Sequence, residues 1–183
     1  MKPDIVFNKD FDAATVFVMV IYQNKPALIW DYFTKPELLD QWWAPKPWRC
    51  ETSNLDFREG GKWNYAMVDP DNDRHLAGVI YEEINAPRSI SWIDFFADEN
   101  GNPTSEIPSV NWLIGFTGVE EGTKLTINIH FNSENDMKTI LDTGFEEGFK
   151  MGLNQLAELI NEKDRPETDL FLLFEEFFVN KIL

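Results

Sequence analysis

The sequence has little of several residue types on which common functions depend. It contains one cysteine, Cys50, so no disulfide can form within the chain. It contains two histidines, His75 and His130, and no HxH, HExxH or CxxC motif. Because a zinc site needs three or four clustered ligands, we expect no metal. No apolar run reaches the roughly 18 residues of a membrane span.

Acidic residues interrupt the N-terminal segment at the positions where a secretory signal would be apolar. Together with the single cysteine and the lack of an apolar span, this favours a cytoplasmic protein that does not enter a membrane.

Positive charge is also scarce. The 183 residues include 16 Lys and Arg against 32 Asp and Glu, which gives a formal net charge of −16. Such a chain repels phosphate backbones and anionic lipid surfaces, so we expect neither nucleic acid nor membrane as a partner. The apolar fraction of 43% and the charged fraction of 26% are those of a globular protein. The length fits one domain, or one domain plus an appendage.

The common catalytic motifs are missing. The "REGGKW" segment has adjacent glycines but neither the spacing of a phosphate-binding loop nor a following helix. There is no GxSxG nucleophile motif, and Cys50 has no evident histidine partner. We therefore assign no catalytic residue and no cofactor.

The sequence does contain clear periodic segments, and their order predicts an α+β fold. Residues 14–22 are apolar and β-branched, which predicts a strand. Two short helices follow, the first with Asn24 as N-cap and Pro26 in its first turn, the second with Thr34 and Glu37 as a capping box. Five alternating segments then predict an antiparallel meander between residues 51 and 132. Residues 133–163 have the period of one long helix that starts at Ser133.

The last segment has a different composition. We place a domain over residues 1–165 and an extension over residues 166–183. The extension reads as an amphipathic helix whose apolar face is too large to remain in water. We expect it to pack near a cavity mouth of its own domain or on a second copy, and we favour a homodimer. Its apolar face comprises Leu170, Phe171, Phe174, Phe177, Phe178 and Ile182.

The strands carry an unusual number of large aromatic side chains. If their faces point inward, they line a cavity for a small apolar or aromatic ligand, or they fill a core. Asp94 lies between Trp92 and Phe96 on one strand face, where burial would raise its pKa; the alternative is a hydrated or paired carboxylate at a rim. The strand aromatics in question are Trp63, Tyr65, Tyr81, Trp92, Phe96, Trp112 and Phe116.

Three glycines recur at four-residue spacing in the predicted long helix, Gly144, Gly148 and Gly152. Each costs about 0.8–1 kcal/mol relative to alanine in a helix interior, so a reason for them is expected. One reason is close approach to bulky aromatics on the sheet; the other is room for a ligand.

Five segments together resemble one known family. "IWDYFTKPELLDQWWAPKPW", "LDFREGGKWNYAM", "GVIYEEINAPRSISW", "GTKLTINIHF" and "DTGFEEGFKMGLNQLAELI" are similar to the C-terminal domain of the heat-shock-protein-90 ATPase activator. That family belongs to the birch-pollen-allergen-like START or SRPBCC superfamily. The resemblance covers about residues 14–161. It implies a helix-grip fold, in which a curved antiparallel sheet wraps around a long C-terminal helix and leaves a cavity between them.

The resemblance carries no shared set of catalytic residues, and the separate N-terminal domain of the eukaryotic activator has no counterpart here. It implies that Trp42 and Trp43 lie near the cavity mouth, with one ring packed inward and the other at the entrance. We therefore expect a cavity for a small apolar ligand. The other hypotheses are a chaperone-activator-like interaction module and a hydrolase- or cyclase-type enzyme that uses Asp94. The residues expected at the site are Trp42, Trp43, Trp63, Tyr65, Tyr81, Trp92, Asp94, Trp112, Gly148, Phe149 and Gly152.

Overall fold

Alternating burial along the strands shows which face of the sheet points towards the core. In the computed structural model, which describes residues 2–105 and 107–163, every second side chain of the strand at residues 15–22 is buried. The described elements are, in chain order, β1 Ile5–Asp10, β2 Thr15–Tyr22, α1 Pro26–Thr34, α2 Pro36–Leu39, β3 Arg49–Leu55, β4 Lys62–Val68, β5 Arg74–Asn85, β6 Ser89–Phe96, β7 Val110–Val119, β8 Gly122–His130, α3 Glu134–Leu141 and α4 Phe145–Lys163.

The strands form one antiparallel sheet with the order β1-β2-β8-β7-β6-β5-β4-β3. Strands β3 to β8 form a meander, of which β4 to β8 were predicted and β3 was not, and β8 then pairs with β2 at the far side. The register shifts at Thr52/Asn54 and at Tyr81/Glu83. Such irregularities bend a sheet locally and increase its twist.

Helix α4 covers the apolar face of the sheet. Leu153, Leu156, Ala157 and Ile160 of this helix are buried in the same core cluster as the inward residues of the strands. The Tyr22 hydroxyl of β2 donates a hydrogen bond to the carbonyl oxygen of Leu153 at 3.0 Å. The predicted α+β helix-grip architecture is therefore confirmed.

Several element predictions were wrong in detail. The long helix predicted over residues 133–163 is two helices, because Gly144 between α3 and α4 has a φ of +84°. Only glycine adopts such a backbone conformation without strain. Gly144 is therefore not a helix-interior glycine. The predicted start at Ser133 is confirmed, since its hydroxyl accepts a hydrogen bond from the Asp136 amide at 3.1 Å.

The predicted caps of the two short helices are not formed. Lys25 rather than Asn24 precedes α1, and Pro26 is its first residue. The α2 helix spans only four residues and has no side-chain cap, because the Thr34 hydroxyl donates instead to the carbonyl oxygen of Trp30 at 3.0 Å. Threonine often makes this bond to the preceding helical turn instead of capping.

Strand β1 was not predicted, so the two short helices follow the second strand rather than the first. Within residues 2–105 and 107–163, none of the helices has the length and apolar content needed to cross a membrane. The predicted extension at 166–183 lies outside the described residues.

Candidate functional site

The tryptophan-rich turn between α2 and β3, residues 40–48, is called the Trp turn. A glutamine holds it against α4. Gln155 is 6% exposed, and its side-chain amide donates to the carbonyl oxygens of Trp42 at 3.1 Å and Ala44 at 2.9 Å. Its side-chain oxygen accepts from the Lys46 amide at 2.7 Å. One side chain thus satisfies three backbone groups of a turn that has no regular secondary structure to do so.

Gly152 allows the same helix to approach this turn closely. A Cβ atom at Gly152 would lie 3.3 Å from the carbonyl oxygen of Trp42. One turn earlier, a Cβ atom at Gly148 would lie 3.6 Å from Cγ of Pro45. Both glycines therefore face the Trp turn, whereas the close-approach interpretation placed them against aromatics of the sheet.

The two adjacent tryptophans have different surroundings. Trp42 is almost fully buried, and its indole N–H donates to the carbonyl oxygen of Tyr32 at 3.0 Å. Trp43 is the centre of an aromatic cluster, with its ring centroid between 5.2 and 6.4 Å from those of six other residues. These are Trp42, Trp63, Tyr65, Trp92, Trp112 and Phe149.

A cavity of about 400 Å³ lies beside this cluster, between the sheet, the Trp turn and the α3–α4 junction. Five residues expected at the site line it, namely Trp43, Asp94, Trp112, Gly148 and Phe149. Phe96 and Gly144, which the sequence analysis named as candidates for cavity lining and for ligand space, also line it. The remaining lining residues were not predicted and are Pro45, Trp48, Met67, Val110, Phe131, Ile140, Thr143 and Phe145.

The other expected site residues pack behind the cavity wall rather than on it. Trp63, Tyr81 and Trp92 are fully or almost fully buried in the core. Trp63 and Tyr65 of β4 stack with a distance of 4.2 Å between their ring centroids and fill the core beside this strand. Trp42 and Gly152 form the contact between the turn and α4. These six residues therefore belong to a filled core, which was the alternative to cavity lining.

Among the residues that the structure describes, Asp94 is the only charged one on the cavity lining. It follows Trp92 on the inward side of β6, and its register partners Val79 and Val110 are apolar. Part of the residue faces the cavity, but protein atoms surround the carboxyl group closely. Loss of hydration therefore raises its pKa to about 7, an effect that the nearby indole N–H of Trp112 partly opposes.

Several buried hydrogen-bond donors near the cavity are not well satisfied. The indole N–H groups of Trp43 and Trp112 make no hydrogen bond of normal geometry, and the same holds for Trp92 and the hydroxyl of Tyr81. Buried polar groups usually have a partner, in the protein or in a bound molecule. Trp43 and Trp112 both line the cavity, but their indole nitrogens are shielded from it and lie near the Tyr65 hydroxyl and the Asp94 carboxyl, respectively.

The arrangement restricts the chemistry available to a bound molecule. A carboxyl group with a pKa of about 7 can exchange a proton near neutral pH. Burial raises the pKa of the Cys50 thiol, which keeps it protonated and a poor nucleophile. His75 packs on the outer side of Trp48 beside Asp69, and His130 is exposed. Among the described residues, no three His, Cys, Asp or Glu side chains are grouped as metal ligands.

Sequence reasoning missed the part of the cavity formed by the α3–α4 junction. The signal was present, since Gly144 is followed by Glu146 and Glu147, and a glycine before an acidic first turn is typical of a helix boundary. Gln155 gave no such signal, because a single glutamine in an amphipathic helix usually faces solvent.

Comparison with known proteins identifies the fold and the family. Protein Ms6760 of Mycobacterium smegmatis has a TM-score of 0.78 and 27% identity, over 85% of this chain and 96% of that chain. A protein of Arthrobacter aurescens has a TM-score of 0.81 and 27% identity, over 86% and 91%. A protein of Staphylococcus epidermidis has a TM-score of 0.76 and 25% identity, over 88% and 96%. No curated protein sequence gave a match.

The match to a family extends over most of the described chain. Residues 23–161 match the family described as "Activator of Hsp90 ATPase homolog 1-like protein". This range begins just before α1 and ends within α4, so it contains the Trp turn and every residue of the cavity lining. The chain therefore belongs to the family of Activator of Hsp90 ATPase homolog 1-like proteins.

Proposed function

We propose that the protein binds a small, largely apolar or aromatic ligand in the cavity between the sheet and α4. The observation that carries this proposal is the cavity itself, whose volume of about 400 Å³ falls within the roughly 300–1,000 Å³ typical of small-molecule sites. Of the lining residues within the described part of the chain, seven are aromatic and Asp94 alone is charged. Family membership is compatible with this role.

The distribution of polar groups supports a ligand with at least one polar atom. Small-molecule sites combine an apolar wall with a few polar groups that fix orientation. Here such a group is the Asp94 carboxyl. We propose that it orients the ligand while the aromatic rings provide most of the contact area. The remaining expected site residues support the cavity from behind.

The proposal is tested by native mass spectrometry of the freshly purified protein beside a denatured sample. We expect a non-covalent adduct that is lost on denaturation. A Gly148→Leu variant, which adds bulk at the lining, should reduce the adduct. Met151→Leu is the matched control, because Met151 lies on the same helix with 45% exposure and is not on the cavity lining.

A clean apo mass would be followed by titration with indole, naphthalene and benzyl alcohol, monitored by intrinsic tryptophan fluorescence. Absence of both an adduct and saturable binding would contradict the proposal. Equal binding by Gly148→Leu and the unchanged protein would place the ligand elsewhere.

The family description favours a second function, interaction with a chaperone ATPase. The net charge of −16 would favour a basic surface on that partner. Stimulation of ATP hydrolysis by the purified cognate chaperone would support this function. Unchanged ATP hydrolysis together with a negative pull-down would contradict this second function.

We also propose, from sequence alone, that residues 166–183 mediate a homodimer. Six large apolar residues at helical spacing in this segment support the proposal. In sedimentation equilibrium, the full chain should then have the mass of a dimer, and a chain ending at residue 165 should have the mass of a monomer. A monomeric full chain would contradict it.

A further inference from the structure

The single charge of the cavity has no counter-ion in the part of the chain that the structure describes. Asp94 takes part in none of the ion pairs among these residues, and the cavity lining contains no lysine, arginine or histidine. Buried carboxylates are normally paired or hydrogen-bonded. The site therefore leaves room for a positive charge that the protein does not supply.

The walls around this carboxyl group suit a cation equally well. Trp43 and Trp112 lie with their ring centroids 6.2 Å apart, and Trp112 meets Phe149 edge to face at 5.3 Å. Phe145 and Phe149 stack almost parallel at 5.5 Å. Aromatic faces attract cations electrostatically, and rings grouped around one space bind quaternary ammonium groups. Because these four rings and Asp94 line the same cavity, a cation bound there would meet both aromatic side chains and one carboxylate.

We propose that the ligand of this cavity is an organic cation, in which an amine or quaternary ammonium group is bound among the aromatic rings beside Asp94. This inference rests on the proposed ligand-binding function and specifies its chemical class. The net charge of −16 supports it, because an acidic protein attracts cations from solution and repels anions.

The other ionisable groups near this interior stay uncharged or lie outside it. Burial raises the pKa of Tyr65, Tyr81 and Cys50, so none of them ionises near neutral pH. Glu146 at the start of α4 is paired with Lys9 and Lys150 and is not on the lining. Asp94 is therefore the group whose charge a ligand in the cavity experiences.

A cation and a neutral ligand would affect this carboxyl group in opposite directions. A cation favours the ionised carboxylate and releases its proton, so its affinity should increase as the pH rises towards about 7 and level off above it. A neutral ligand with an acceptor atom would accept a hydrogen bond from the protonated carboxyl group. Its affinity would fall as the pH rises.

The test compares phenyltrimethylammonium with its uncharged isostere tert-butylbenzene, by tryptophan fluorescence at pH 6 and pH 8. We expect the cation to bind at least about tenfold more tightly than the isostere at pH 8, with a smaller preference at pH 6. Asp94→Asn should lose the pH dependence and most of the preference, because only the attraction of the aromatic rings remains. Glu82→Gln, which removes an exposed carboxylate of β5, should keep both.

Each other outcome contradicts the inference in a distinguishable way. Equal or tighter binding of tert-butylbenzene by the unchanged protein overturns the charge assignment but leaves an apolar binding site. The same holds if the cation preference persists undiminished in Asp94→Asn. If neither compound binds at millimolar concentration while the native adduct is present, the inference fails and the proposed function remains.

Discussion

Asp94 shows how one residue connects the interior of this fold to the pH of its surroundings. Its pKa in the folded protein is about 7, against an ordinary value of 3.8, because burial disfavours the charged form. Between about pH 4 and pH 7 the folded protein holds a proton that the unfolded chain has already released. Folding stability from this group is therefore complete below pH 4 and decreases as the pH rises through 7.

We predict that Asp94→Asn stabilises the protein increasingly as the pH rises from 4.5 to 8.5. Asparagine has nearly the same shape but cannot ionise. The gain in the free energy of unfolding should reach about 1–3 kcal/mol at pH 8. This is smaller than the full pKa shift at about 1.4 kcal/mol per pK unit would give, because the part of the residue that faces the cavity stays hydrated. Urea unfolding of both proteins at each pH measures the difference. A gain that does not vary with pH would contradict the prediction, and Glu82→Gln is the control.

Gln155 is the second residue whose removal should have a large effect. Gln155→Ala leaves two buried carbonyl oxygens and one amide of the Trp turn without their hydrogen bonds. We predict a loss of about 2–3 kcal/mol in the free energy of unfolding. Glu158→Ala, at an exposed position of the same helix, should change it by less than about 0.5 kcal/mol. Equal effects of the two variants in urea unfolding would show that the turn is held by other contacts.

At the scale of single elements, the three glycines of the C-terminal region have three different roles. Gly144 ends one helix and precedes the next with a positive φ. Gly148 has ordinary room for a Cβ atom beside Pro45, whereas Gly152 approaches the backbone of Trp42. Equal spacing in the sequence thus conceals different local constraints.

We predict that alanine at these positions changes stability in different directions. Gly148→Ala should stabilise by about 0.5–1 kcal/mol, because alanine favours a helix interior and its Cβ fits. Gly144→Ala should destabilise by about 1–2 kcal/mol, because a left-handed backbone strains any residue with a Cβ.

Gly152→Ala should give no gain, because the carbonyl oxygen of Trp42 would have to move. Urea unfolding of the three variants gives the comparison. The same change in all three would contradict the assignment of distinct roles.

At the scale of the whole molecule, the negative charge is the dominant property. A net charge of −16 on 183 residues opposes compaction through repulsion among surface carboxylates. The ion pairs that offset it are mainly at the surface and have low individual value. The folded state should therefore depend on the ionic strength.

We predict that the melting temperature at pH 8 rises as sodium chloride is increased from 20 to 500 mM, because salt screens the repulsion between exposed carboxylates. At pH 5, closer to the isoelectric point of about 4.4, the same salt series should have a much smaller effect. Differential scanning calorimetry measures both. An equal rise at the two pH values would indicate salt effects unrelated to net charge.

The order and type of most elements were determined by the sequence alone, because alternation in β4 to β8 and the apolar stripe of α4 are local patterns. The family resemblance also lay in the sequence, in segments such as the Trp-Trp and Gly-Gly-x-Trp motifs. Asp94 could be singled out because it interrupts an aromatic strand face. These features depend on neighbouring residues in the chain.

Only the tertiary structure decided which aromatic rings fill the core and which line the cavity. Trp63 and Trp92 follow the same alternation as Trp112, yet of these three only Trp112 lines the cavity, whereas Trp63 and Trp92 are fully buried with Trp43 of the Trp turn packed against both. The three bonds of Gln155 likewise join residues over a hundred positions apart. Such contacts depend on how separate elements meet, which local periodicity does not encode.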